Sequence, residues 1–108
     1  MKKYSYIFSL IFLLCNQVPA DPSYDRGKEK SVTCSACHGT DGNSDNKMYP
    51  RIAGQYKNYL IQALNAYKSG ERENAIMAGF AAGLSEQDII DLSTYYSKQK
   101  GLKIIPKN

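Results

Sequence analysis

Apolar side chains recur with helical spacing along residues 56–69. Tyr56, Tyr59, Leu60, Ala63, Leu64 and Tyr67 stand at i, i+3, i+4, i+7, i+8 and i+11, one stripe of a 3.6-residue period. The spacing predicts a helix that Gly70 stops. A second stripe, Ile89, Leu92, Tyr95 and Tyr96, follows Ser85-Glu86-Gln87-Asp88. A serine hydroxyl that can take an early backbone N–H, with acids after it at the positive helix end, marks a helix start. Gly101 ends this helix and Pro106 forbids a restart. A short first helix is expected over 27–33. Residues 39–53, "GTDGNSDNKMYPRIA", read as loop, as do 71–84 with Met77, Gly79 and Gly83. No convincing strand and no internal repeat appears. The pattern therefore predicts an all-α chain of three to four helices, whose long loops are expected to serve a site.

The start of the chain has a different pattern. Lys2 and Lys3 precede an apolar run from Ile7 to Leu14, and Val18-Pro19-Ala20 offers small residues before Asp21. These are the three parts of a cleaved secretory signal, residues 1–20. The run is too short to span a bilayer, which takes about 20 residues. Retention as a membrane anchor is the alternative. Lipidation of Cys15 is disfavoured, because Leu14 stands where a small residue is expected. Removing residues 1–20 from 108 leaves 88, residues 21–108, one domain with a core small enough to profit from a covalent staple.

Export changes the charge. Without Lys2 and Lys3, twelve Lys and Arg oppose ten Asp and Glu, so the net charge is +2 rather than +4. The lysines are scattered, with no basic stripe interleaved with aromatics, so no nucleic-acid partner is expected. No stable membrane insertion is expected either.

Two cysteines remain, in Cys34-Ser-Ala-Cys37-His38. A thioredoxin-like dithiol needs a βαβ setting and has no use for His38. A structural zinc site needs four ligands, and this inventory stops at three, because His38 is the sole histidine. The third reading is covalent haem attachment, of which C-x-x-C-H is the signature. Two thiols three residues apart reach the two vinyl groups along one haem edge. The next residue, His38, then falls beneath the ring, where its imidazole can ligate iron.

A methionine thioether on the opposite face would favour Fe(II) and raise the potential. Met48 lies ten residues after His38 and Met77 thirty-nine. Crossing from one haem face to the other is easier through an intervening helix, so Met77 is the expected ligand and Met48 the alternative. With both axial positions filled, no open site remains for substrate, and no titratable pair suggests acid–base catalysis. The tyrosines are expected to pack on helix faces rather than to relay radicals.

The motif C-x-x-C-H-G-x-x-G-N, then "YPRIAGQYKNYL", then "KSGERENAIMAGFAAGLSEQDIIDLSTYY" together resemble a class I c-type cytochrome. The likeness is greatest to one half of the dihaem cytochrome c4 group or to a small cytochrome c-553, and it covers residues 24–100. The resemblance implies a small class I cytochrome c fold wrapped around one covalent haem c. It also implies that Met77 ligates iron, that the Pro50 carbonyl accepts a hydrogen bond from the other nitrogen of His38, and that Gly27 meets Tyr95 where the first and last helices cross. Cytochrome c4 carries two such domains and this chain has one, so inferences about haem-to-haem transfer do not carry over.

The function expected is a soluble, monomeric periplasmic electron carrier, not an enzyme. It would shuttle between redox proteins such as membrane respiratory complexes or terminal oxidases. The alternatives are a haem subunit of a larger oxidoreductase and a ligand-binding sensor or peroxidase. Docking is expected at the apolar segment "MAGFAAGL", with Lys47 and Lys57 as a charged rim.

Overall fold

The structure, a computed structural model, describes residues 19–101. Most of the expected signal, residues 1–18 with Lys2, Lys3 and Cys15, lies outside the described residues, as does Pro106. The described chain is all-helical: α1 (Pro22–Lys30), α2 (Val32–His38), α3 (Lys57–Ser69), α4 (Ala75–Ala82) and α5 (Glu86–Ser97).

The helical content starts earlier than the expected 27–33. Asp21 caps α1 by accepting the Ser23 N–H at 3.1 Å, and Pro22 sits at the first helical position, where its missing donor costs nothing. At Ser31 the run breaks. Its hydroxyl donates to the Lys28 carbonyl at 2.6 Å, and α2 starts afresh beyond it. The cysteine motif thus lies on its own helix. Cys34, Cys37 and His38 stand at i, i+3 and i+4 and share one face. Gly39, at φ +86°, turns the chain out of α2.

α5 forms the centre. Its start is a capping box, with the Asp88 N–H bonded to the Ser85 hydroxyl at 3.0 Å and the Ser85 N–H to the Asp88 carboxylate at 2.9 Å. From Asp91 to Tyr96 every residue is buried. Leu92, Tyr95 and Tyr96 join Leu60 of α3 in the core, against which Tyr24, Cys34, Ile52, Leu64 and Leu84 pack. α1 crosses α5 at Gly27, where an added Cβ would collide with the Asp91 carbonyl and come within 2.9 Å of Tyr95 Cβ.

One expected loop is in part a helix: residues 71–84 are not all loop, because Ala75–Ala82 is helical. The Asn74 side chain caps it by accepting the Met77 N–H at 3.0 Å, and a run of alanines propagates it through Gly79. The stripe of α3 divides between the core and the cavity. Leu60 is buried, but Tyr56 and Tyr59 are exposed. Tyr56 is the non-helical residue before the first turn, and Tyr59 lines a cavity instead.

Candidate functional site

The cavity lies among α2, α3, α4, α5 and the loop that carries Pro50. α2 supplies Cys34 and His38, α3 supplies Leu60, Ala63, Leu64 and Tyr67, and α5 supplies Leu92, Ser93 and Tyr96. Met77, Phe80 and Ala81 of α4 line it as well. The walls are mainly apolar, which suits a flat hydrophobic group.

His38 is 8 % exposed, and its Nδ1 lies 2.8 Å from the Pro50 carbonyl oxygen. A carbonyl can only accept, so Nδ1 carries the donated proton, and in the neutral ring Nε2 keeps its lone pair. Such a bond fixes the tautomer and the ring orientation of a ligand imidazole. The two bonds that hold the loop in reach run from the Ile52 and Ala53 N–H groups to the Gly42 carbonyl, at 2.9 and 3.2 Å.

Cys34 lines the cavity, and its thiol is free, as is that of Cys37. Burial pushes the Cys34 thiol up, while the neighbouring Thr33 and Tyr96 hydroxyls pull it down. Cys37 is half-buried on the same helix face but is not among the side chains lining the cavity. Among the described residues no three His, Cys, Asp or Glu side chains converge as a metal cage. Three neighbouring donors on one helix face, beside an apolar cavity, suit attachment of a planar group better than a closed four-ligand metal site.

The two methionines part company. Met77 is half-buried and lines the cavity that His38 also lines. Met48 is 83 % exposed and does not line it. Gly27 and Tyr95 meet at the helix crossing, and neither lines the cavity. Their place is in the packing of α1 on α5. The Tyr95 hydroxyl is spent on the Thr40 carbonyl at 2.9 Å.

Several cavity residues escape a reading of the sequence. Arg72 donates to the Tyr59 hydroxyl at 3.3 Å and lies over the Tyr67 ring, 4.9 Å from its centroid. Arg51 donates from Nε to the Ser44 carbonyl at 3.1 Å. Both guanidinium groups line the cavity, and no carboxylate does. The cavity is therefore suited to a group that carries acid substituents. Ser93 and Tyr96 have buried hydroxyls with no hydrogen-bond partner. Tyr96 has one sequence signal, its place on the inward stripe of α5, which does not say what it faces, and Ser93 has none.

Residues 24–100 match the family model described as Cytochrome c. The chain is 44 % identical over 77 residues to cytochrome c-554(548) of Halomonas halodenitrificans, covering 68 % of this chain and 93 % of that one. It is 40 % identical over 74 residues to cytochrome c4 of Pseudomonas aeruginosa, covering 68 % of this chain but 37 % of that protein. Among solved structures, reduced recombinant cytochrome c4 from Pseudomonas stutzeri superposes with a TM-score of 0.70 at 36 % identity. That match covers 78 % of this chain and 48 % of the other. The chain thus spans half or less of the length of the cytochrome c4 proteins it matches.

Proposed function

The chain belongs to the cytochrome c family, and on that premise we propose that it is a periplasmic electron carrier in which Cys34 and Cys37 hold one covalent haem while His38 and Met77 ligate its iron. A covalently bound c-type haem with iron, and a part in haem electron transfer, follow from the family itself. When bound, that group supplies a one-electron Fe(III)/Fe(II) couple. The residues of the cavity do the rest. His38 offers the Nε2 lone pair, held in place through Nδ1 by the Pro50 carbonyl. Met77 offers a thioether from another element lining the cavity, a ligand that favours Fe(II). Arg51 and Arg72 line the same cavity and would pair with the acid substituents of that group, while the mainly apolar walls would exclude water. Fixed ligands in a dry pocket reorganise little when the electron moves, which makes outer-sphere transfer fast.

The observation that carries this reading is that one cavity is lined by Cys34, His38 and Met77, with the His38 ring already oriented by Pro50. Export is supported by the pattern of residues 1–20. No helix among the described residues is long and apolar enough to cross a membrane. A redox protein would dock at α4, where Ile76 and Phe80 are 61 % and 49 % exposed and stand four residues apart. Lys47 and Lys57 are exposed and would steer the approach.

The test is the near-infrared band of the ferric, haem-loaded protein, which reports methionine-sulfur ligation. The band is expected in the wild type and in Met48→Ala and is expected to vanish in Met77→Ala. If it survives in Met77→Ala, the ligand assignment is wrong. A wild type that lacks the band and binds CO rapidly when reduced points to a sensor or peroxidase. Purification as a stable complex with a catalytic chain, rather than as a monomer, makes it an oxidoreductase subunit.

A further inference from the structure

Tyr96 is one of two cavity-wall residues, with Ser93, whose buried hydroxyl has no hydrogen-bond partner. It is 3 % exposed, and its hydroxyl has no hydrogen-bond partner. A phenol buried in this way normally finds one. Its ring is pinned on several sides. The Tyr95 ring stands edge-on to it with centroids 5.0 Å apart, and Leu60 and Leu92 pack in the same cluster. Gly42 is so close that an added Cβ there would lie 2.9 Å from Tyr96 Cδ1. The backbone of Tyr96 is held too, its carbonyl accepting the Gly54 N–H at 2.9 Å. The hydroxyl therefore cannot swing out to water to find a partner.

The Cys34 sulfur shares the cavity wall with Tyr96 and packs against the same cluster. As a thiol, Cys34 can donate its own proton toward the phenol oxygen. As a thioether it has no proton and can only accept. After attachment, a hydrogen bond between the two can therefore only have Tyr96 as its donor.

We propose that the Tyr96 hydroxyl donates a hydrogen bond to the Cys34 thioether sulfur and so raises the reduction potential of the attached haem. This inference rests on the haem reading given above. The physical reason is electrostatic. A donor aimed at a sulfur on the haem edge draws electron density from the ring and disfavours the extra positive charge of Fe(III). In a water-excluded wall such a dipole is poorly screened. Tyr96 acts here as a positioning and tuning residue and does not ligate the iron.

The experiment compares haem-loaded wild type, Tyr96→Phe and Tyr95→Phe. Tyr96→Phe keeps the ring and removes only the hydroxyl. Tyr95→Phe removes a neighbouring hydroxyl that is spent on Thr40, outside the cavity. Two quantities are read: the midpoint potential, and the shift of the cysteine C–S vibrational bands when the protein is moved from H2O to D2O. Tyr96→Phe is expected to lower the potential, with a several-fold fall in the Fe(II)/Fe(III) ratio at fixed solution potential. It is also expected to lose a deuterium-sensitive C–S band that the wild type and Tyr95→Phe both retain. An unchanged potential in Tyr96→Phe overturns the proposal. So does a potential that falls equally in Tyr95→Phe, because the effect is then one of packing. A lowered potential with no deuterium-sensitive C–S band in the wild type also overturns it, since the proton then goes elsewhere. Haem stain on a denaturing gel separates the two readings. A chain that carries no covalent haem overturns the function and this inference together, whereas a stained chain with an unmoved potential overturns this inference alone.

Discussion

Arg26 grips Asp91 with two bonds, from Nε to Oδ2 at 2.8 Å and from Nη2 to Oδ1 at 3.0 Å, and so ties α1 to α5. Asp91 is 3 % exposed and also accepts from the Ser23 hydroxyl at 2.6 Å and the Gln87 amide at 2.8 Å. A buried carboxylate persists only when it is satisfied in this way. It stands beside the Gly27 crossing, where Ser23 with Thr94 and Lys30 with Asp88 also join the first helix to the last.

That pair makes stability depend on pH in a definite direction. Arg26 foremost, then Ser23 and Gln87, hold the Asp91 carboxyl well below the usual carboxylate range, against the opposing effect of burial. The folded chain therefore binds its proton at lower pH than the unfolded chain, whose value is about 3.9. The stabilisation is present in full above that range and drains away as pH falls from about 4 toward the folded value. Asp91→Ala is expected to cost about 1–3 kcal/mol at neutral pH, because three donors lose their acceptor. The difference from wild type should shrink on acidification. Urea titrations of both proteins at neutral pH and near pH 3 check this, and a gap that stays constant speaks against it.

Gly27→Ala should be more damaging than its size suggests. The new methyl meets the Asp91 backbone, which cannot step aside as a flexible side-chain tip can. Overpacking of this kind costs about 1–3 kcal/mol. Denaturant melts measure it. The haem spectrum of the folded fraction is expected to stay as in wild type, since Gly27 does not line the cavity.

Asn74→Ala removes the cap of the helix that carries Met77. Loss of such a cap costs about 1 kcal/mol. The cost is local, so the expected signature is faster displacement of the methionine by added imidazole, with only a small drop in the melting temperature. A displacement rate equal to that of wild type would show that Met77 does not depend on the α4 cap.

Met48→Ala is expected to change stability by less than about 0.5 kcal/mol, as befits an exposed side chain outside the cavity. Thermal melts of the variant alongside wild type decide this. A large loss would mean that Met48 is buried in solution.

Much of this protein was legible along the chain because the relevant physics is local. The three-residue spacing of Cys34 and Cys37, with His38 next, puts all three on one face of a single helical turn. The stop at Gly70 and the cap at Ser85 follow from backbone geometry within a few residues. Helix α4 was not legible in the same way. Its apolar residues show no one-sided stripe, and its glycines suggest a loop, yet the Asn74 cap and good helix formers win. The start of α1 at Asp21-Pro22 was a readable signal that lay close to the expected cleavage point and was masked by it.

The sequence by itself determined the all-α class, the C-x-x-C-H motif and the inward stripe of α5, because each depends on spacings shorter than two helical turns. Only the tertiary structure decided which methionine shares a cavity with His38. It also decided that Asp91 is latched by a residue sixty-five positions away, and that the Tyr96 hydroxyl lies buried without a partner in a cavity wall that Cys34 shares. Those facts depend on how the helices cross, and the crossing is set by close approach at Gly27 and by packing in the core, neither of which has a period along the chain.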